Sequence, residues 1–169
     1  MSAVTPDRSI PVGVVIERRK AASSWVDFVW RPSAVLAGVP EAAAGTLLAA
    51  AQDKTTFYAG AAEIELYRSE SDNYRDNLTS GAPALWVALK PSGGEPPWAV
   101  AAVTADPAEG EGLAGAAELI VEAVPMPETV RDLVAGFVAE YPVERAFEKR
   151  QRDRADREAL ARAPRTRRP

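Results

Sequence analysis

Short runs rich in Val, Ile, Trp, Phe and Tyr recur between turn residues along most of this chain, and that punctuation constrains the fold more than any other feature. Short runs with β-branched and aromatic side chains favour strands, and closely spaced turns favour antiparallel pairing. Six such runs are legible: residues 11–18, 25–36, 56–67, 85–89, 98–103 and 119–124. In the second, Val26, Phe28 and Trp30 fall on one face and Trp25, Asp27, Val29 and Arg31 on the other, and Pro32 is expected to bend or interrupt it. In the third, Ile64 and Leu66 alternate with Glu63, Glu65 and Tyr67, so the first pair is expected inward. Residues 85–89 and 98–103 flank Pro91-Ser92-Gly93-Gly94-Glu95-Pro96-Pro97, a connection too rich in Gly and Pro for anything but a loop.

Three helical stretches are expected among and after these strands. Residues 41–52 are Ala-rich and weakly amphipathic, with Gly45 inside, and a shorter segment covers residues 109–118. After Pro125 and Pro127, the residues Val130, Leu133, Val134, Phe137, Val138 and Tyr141 repeat at i, i+3, i+4, i+7, i+8 and i+11, a stripe that should pack on the sheet. Pro142 lacks an amide hydrogen and should end or kink that helix. The fold expected is therefore α+β: an antiparallel body of about six strands, closed by one amphipathic helix. Residues 10–148 form the domain and residues 149–169 a basic tail, helical or disordered, with acid-first pairs such as Glu148/Arg152.

Charge divides the chain close to the same place, after Glu144. The formal total is −4, and residues 145–169 hold ten Lys/Arg against four Asp/Glu, so the tail carries +6 and residues 1–144 carry −10. A basic extension of this kind meets phosphates, an acidic partner or its own acidic body.

The chemistry open to the chain is narrow, because it contains no His and no Cys. Thiolate and imidazole sites for zinc, haem or iron–sulfur clusters are excluded, as are thiol nucleophiles and histidine proton shuttles. No phosphate-cradling loop or nucleophile elbow appears, since Gly110-Glu111-Gly112 lacks a strand-to-helix context. Glu63 and Glu65 share one strand face at a spacing from which two carboxyls can act on a sugar, although alternating glutamates are also the ordinary outer face of a half-buried strand. Trp25, Trp30, Trp86 and Trp98 all fall in expected strands, where large aromatics usually fill core. No window reaches the roughly 18 apolar residues of a membrane helix, and the N-terminus has no export signal, so a cytoplasmic protein is expected and Asn77-Leu78-Thr79 is an accidental sequon. No cofactor and no catalytic or metal-binding residue is assigned.

The densest polar cluster is Arg68-Ser69-Glu70-Ser71-Asp72-Asn73-Tyr74-Arg75-Asp76-Asn77, expected as a loop after the third strand. Two guanidinium groups amid donors and acceptors suit recognition of a polypeptide or an anion. Arg68, Ser69, Glu70, Asp72, Tyr74, Arg75 and Asn77 are therefore the candidate partner-binding residues, with Phe147, Lys149 and Arg150 as a second group.

Read together, these segments resemble a bacterial family catalogued as domain of unknown function 3305. The resemblance runs from Ile10 to about Arg154 and rests on the order and spacing of Pro11-Val12-Gly13-Val14-Val15-Ile16-Glu17-Arg18-Arg19, Trp30-Arg31-Pro32, Tyr58-Ala59-Gly60, Leu66-Tyr67-Arg68-Ser69-Glu70, Tyr74-Arg75-Asp76-Asn77-Leu78, Ala84-Leu85-Trp86-Val87, Val121 to Pro127 and Phe147-Glu148-Lys149-Arg150. It implies a small cytoplasmic protein often encoded beside formate dehydrogenase subunits and their maturation factors. Some members carry a molybdopterin-guanine dinucleotide nucleotidyltransferase label, which fits poorly: Leu36-Ala37-Gly38 runs into Val39-Pro40 without the further glycines of a nucleotide loop. The expected role is that of a non-catalytic accessory protein whose partner is a subunit, or a maturation factor, of a molybdenum- or tungsten-dependent formate dehydrogenase. The alternative is a nucleic-acid or ribosome-associated module using the basic tail.

Overall fold

A computed structural model describes residues 3–143. The first four strands are β1 (Arg8–Lys20), β2 (Phe28–Ala37), β3 (Leu47–Ala50) and β4 (Lys54–Leu66). They pair antiparallel in the order β2-β1-β4-β3. A single 3-10 turn (Arg68–Glu70) then leads into helix α1 (Ser71–Leu78). Strands β5 (Ala84–Pro91), β6 (Trp98–Thr104) and β7 (Ile120–Pro125) make a second antiparallel sheet, ordered β6-β5-β7. Helix α2 (Pro107–Ala114) connects β6 to β7, and α3 (Glu128–Glu140) follows β7.

One apolar core lies between these elements. The alternation of β1 puts Ile10, Val12, Val14 and Ile16 inward, and β5 answers with Leu85, Val87 and Leu89. Ile64 and Leu66 of β4 join them, fully buried. The stripe of α3 closes this core as its periodicity requires, through Val130, Val134 and Phe137. Two seams bring the sheets together, β6 beside β4 and β7 beside β2.

The antiparallel body and its closing helix follow the sequence pattern, and three local expectations need correction. Residues 41–52 are not a helix. Gly45 sits at φ 92°, outside the right-handed region, its N–H donates to the Tyr58 carbonyl at 2.7 Å, and the Tyr58 N–H donates to the Thr46 carbonyl at 2.8 Å. Pairing with β4 thus overrides the helical preference of alanine and makes β3, the seventh strand. The second strand, expected from residue 25, begins at Phe28, leaving Trp25 in the β1–β2 connection and 93% exposed. Pro32 has the effect expected of it: the β1–β2 register passes from Val15↔Ala34 to Ile16↔Pro32, so Ser33 is bulged. Helix α2, expected over residues 109–118, both starts and ends earlier, at Pro107 and Ala114. Asp106 caps it by accepting from the Ala108 N–H at 2.9 Å, and Pro107 occupies the first turn. Gly110 on that helix faces the Trp86 indole, where a Cβ would come within 2.3 Å of Cγ.

Candidate functional site

The segment expected as a polar loop is instead the 3-10 turn and α1, and most of its polar atoms hold the fold together. Arg68 donates from Nε and Nη2 to Asp7 Oδ1 at 3.0 and 2.8 Å, and its backbone N–H reaches Oδ2 at 2.8 Å. The same guanidinium lies 5.1 Å from the Tyr141 ring centroid, so one side chain ties the start of β1 to the end of α3. Hydrogen bonds from Arg68 hold the Asp7 carboxyl below its usual 3.8. Asn73 Nδ2 donates to Glu70 Oε2 at 3.1 Å and to Asp106 Oδ2 at 3.2 Å, and Ser69 Oγ to Glu70 Oε1 at 3.3 Å. Arg75 meets Asp72 one turn away, with Nη2 2.5 Å from Oδ1 in a charge contact without hydrogen-bond alignment.

Tyr74 and Asn77 are interior, which removes them from any contact surface: they are 2% and 3% exposed. The Tyr74 hydroxyl accepts from the Tyr67 N–H at 3.0 Å, and Asn77 bridges three backbone groups. The helix spacing of Ser71, Tyr74, Asn77 and Leu78 carries this burial, but two of the buried side chains are polar, so the apolar periodicity is faint. The second group, Phe147, Lys149 and Arg150, lies outside the described residues.

Burial pushes the Tyr74 phenol from 10.0 up to about 12, against the opposing bond from Tyr67. The folded state therefore favours the neutral phenol, a stabilisation complete below pH 10 and lost as pH rises toward 12. Urea titrations across that window should show wild type losing on the order of 2 kcal/mol. Tyr74→Phe should begin about 1 kcal/mol less stable, having orphaned the Tyr67 N–H, and should lack this alkaline step. An identical alkaline loss in both proteins would refute the assignment.

Glu63 and Glu65 line a cleft of about 350 Å³ along the β4–β6 seam, with Ala61, Ala62, residues 100–103 and Glu109. Glu65 accepts the Tyr67 hydroxyl at 2.7 Å, and Glu109 accepts the Thr104 hydroxyl at 2.6 Å. Two carboxylates are thus tied to neighbours on their own or adjoining elements. Among the described residues, no group of three or more Asp or Glu side chains is gathered to hold a metal ion.

The third surface is one that sequence reasoning missed. Strands β1 and β4 have 13 residues each and β5 has 8, so at about 3.3 Å per residue the first sheet is roughly 43 Å long against roughly 26 Å for the second. The inward face of the longer sheet therefore runs on past the core as an open ledge. Register sets its content: Ile16 lies opposite Pro32 and Phe57, Arg18 opposite Trp30 and Thr55, and Lys20 opposite Phe28. Leu47 of β3 lies beside Phe57. Trp30 and Phe57 border the core with ring centroids 5.6 Å apart, while Phe28 is 42% and Leu47 57% exposed.

Arg18 lies across these rings, with its guanidinium carbon 4.3 Å from the Phe28 centroid and 5.8 Å from those of Trp30 and Phe57. Among the described residues it makes these ring contacts and no ion pair. The opposite face of the same strands is the reverse case. Glu17, 4% exposed, takes Arg19 Nε at 2.9 Å, Arg31 Nε at 3.6 Å and Lys54 Nζ at 3.8 Å, and Arg31 also reaches Glu122 of β7 at 3.2 Å. The cations of one face of the overhang are thus paired with carboxylates, whereas the other presents Arg18 without an ion pair among aromatics, with Lys20 and, across from it, Asp53 at its end. The run Glu17-Arg18-Arg19-Lys20 was legible, but its ring partners lie ten to forty residues away and join it only through register.

Among the described residues no helix is long and apolar enough to cross a membrane. Searches of curated proteins and of solved structures return no match. A family profile does match over residues 11–151, and it assigns the chain to the family described as protein of unknown function (DUF3305), to which the chain therefore belongs.

Proposed function

We propose that this protein is a non-catalytic accessory protein of the cytoplasm that binds a subunit of a molybdenum- or tungsten-dependent formate dehydrogenase, or one of its maturation factors, during assembly. The family resemblance supplies the partner. The observation that carries a binding role is the ledge: Phe28 and Leu47 expose apolar surface on the face that carries Arg18, an arginine with no ion pair among the described residues. Exposed apolar surface beside charge is characteristic of protein contact sites, and aromatics with arginine dominate their energetics. Arg68 is a poorer probe than Arg18, because reversing its charge would break the bridge to Asp7.

The test is co-purification of the full chain with tagged formate dehydrogenase subunits and maturation factors. Recovery with wild type, reduced about tenfold by Phe28→Ala with Leu47→Ser, is expected. Failure to recover any of them, together with unaltered formate dehydrogenase activity in a deletion strain, would overturn the reading in favour of nucleic-acid binding through residues 145–168.

A further inference from the structure

We infer that the ledge seats a segment of the partner in which acidic side chains alternate with aromatic or branched aliphatic ones, a carboxylate pairing with Arg18 while its apolar neighbours cover Phe28 on one edge of the sheet and Leu47 on the other. The inference rests on the binding role proposed above and names the chemistry of what is bound.

The charge pattern selects this occupant. On the ledge face the strand positions carry Arg18 and Lys20, with Asp53 opposite Lys20 one residue before β4 and no ion pair to Arg18 among the described residues, while the face behind them pairs its cations with Glu17 and Glu122. Arg18 is held in place by three rings, so its planar fork is already oriented, and a bidentate carboxylate adds to the ring contacts rather than replacing them. Lys20, exposed at the end of β1, stands two residues away on the same face, which suits a second acidic residue at strand spacing. A second copy of this chain fits worse, since a two-fold contact through the ledge would set Arg18 and Lys20 against their own counterparts. Single-stranded nucleic acid fits worse as well. The ledge carries two cations, Arg18 and Lys20, against the unbroken run of phosphates along a strand, and the guanidinium of Arg18, 4.3 Å from the Phe28 centroid, occupies a ring face on which a base would stack.

The experiment uses the full chain and three fluorescent probes: a short peptide alternating Glu with Leu and Phe, the same peptide with Lys in place of Glu, and an oligothymidylate. The acidic peptide should bind at least about tenfold more tightly than its lysine counterpart and than the oligonucleotide. Arg18→Glu should weaken it about tenfold, Arg18→Lys less, and Lys20→Glu should act in the same direction. Circular dichroism confirms that each variant is folded, and Lys20, being exposed, supplies a variant free of packing effects. Equal binding of the two peptides, tighter binding of the oligonucleotide, or indifference to both charge reversals would overturn the inference. Competition separates it from the proposed function. A formate dehydrogenase subunit or maturation factor that binds but is not displaced by the acidic peptide rejects the inference alone, whereas peptide binding with neither recovered rejects the accessory role alone.

Discussion

Asn77→Ala should destabilise the domain by about 3–5 kcal/mol, the largest effect expected from any single polar substitution. Its Nδ2 donates to the Ala84 and Ala105 carbonyls at 2.8 and 2.9 Å, and its Oδ1 accepts from the Ala84 N–H at 3.0 Å. One amide therefore joins α1 to the start of β5 and to the segment after β6. Removing it strands three backbone groups, each costing about 1–3 kcal/mol where water does not replace the lost bond, and Ala105 is fully buried. At about 2–4 °C per kcal/mol for a domain of this size, the thermal midpoint should fall by roughly 10 °C. Asn77→Asp should be comparably damaging, because a carboxylate accepts from Ala84 but has no donor for either carbonyl. A midpoint within about 2 °C of wild type for either variant would show that this amide does not hold the junction.

Phe137→Ala should cost a similar amount, about 3–5 kcal/mol, for an unlike reason. The ring is fully buried on the core side of α3, 6.0 Å edge-on from Tyr74 and 4.9 Å from Tyr141, with the Arg8 guanidinium 5.5 Å from its centroid. Truncation leaves a cavity and removes two aromatic pairings as well as buried area. Phe137→Leu, which fills most of that volume, should cost less than half as much. Urea denaturation decides it: the midpoint should move while the slope stays constant. The nearby Arg8–Glu140 ion pair, at 2.6 Å but with side chains 38% and 49% exposed, should contribute little by comparison.

How far the sequence revealed this molecule depends on which physical force placed each element. Alternation at Ile64 and Leu66 and the 3.6-residue stripe of α3 record burial directly, so those elements stood out. β3 did not, because Leu47–Ala50 has the local preferences of a helix and becomes a strand only by pairing with β4; the warning was Gly45, at a backbone angle that alanine rarely adopts. α1 was hidden for another reason. Its inner face is built from Ser71, Tyr74 and Asn77, and the last two are buried with hydrogen bonds at their polar atoms rather than through apolar character alone. The ledge was the least legible, since no window of sequence holds Arg18, Trp30 and Phe57 together. That grouping is a property of two strand registers, not of a motif.

The overhang of one sheet beyond the other also separates two demands that usually compete. Phe28 and Leu47 follow the same inward alternation as the core, yet they stand where no second layer opposes them, so altering them leaves no cavity. Their identity can drift, be exchanged or be redesigned at little thermodynamic cost, while Ile16 and Leu89 a few residues away are fixed by close packing. A frame of this kind can retune what it touches one ledge residue at a time without renegotiating how it folds.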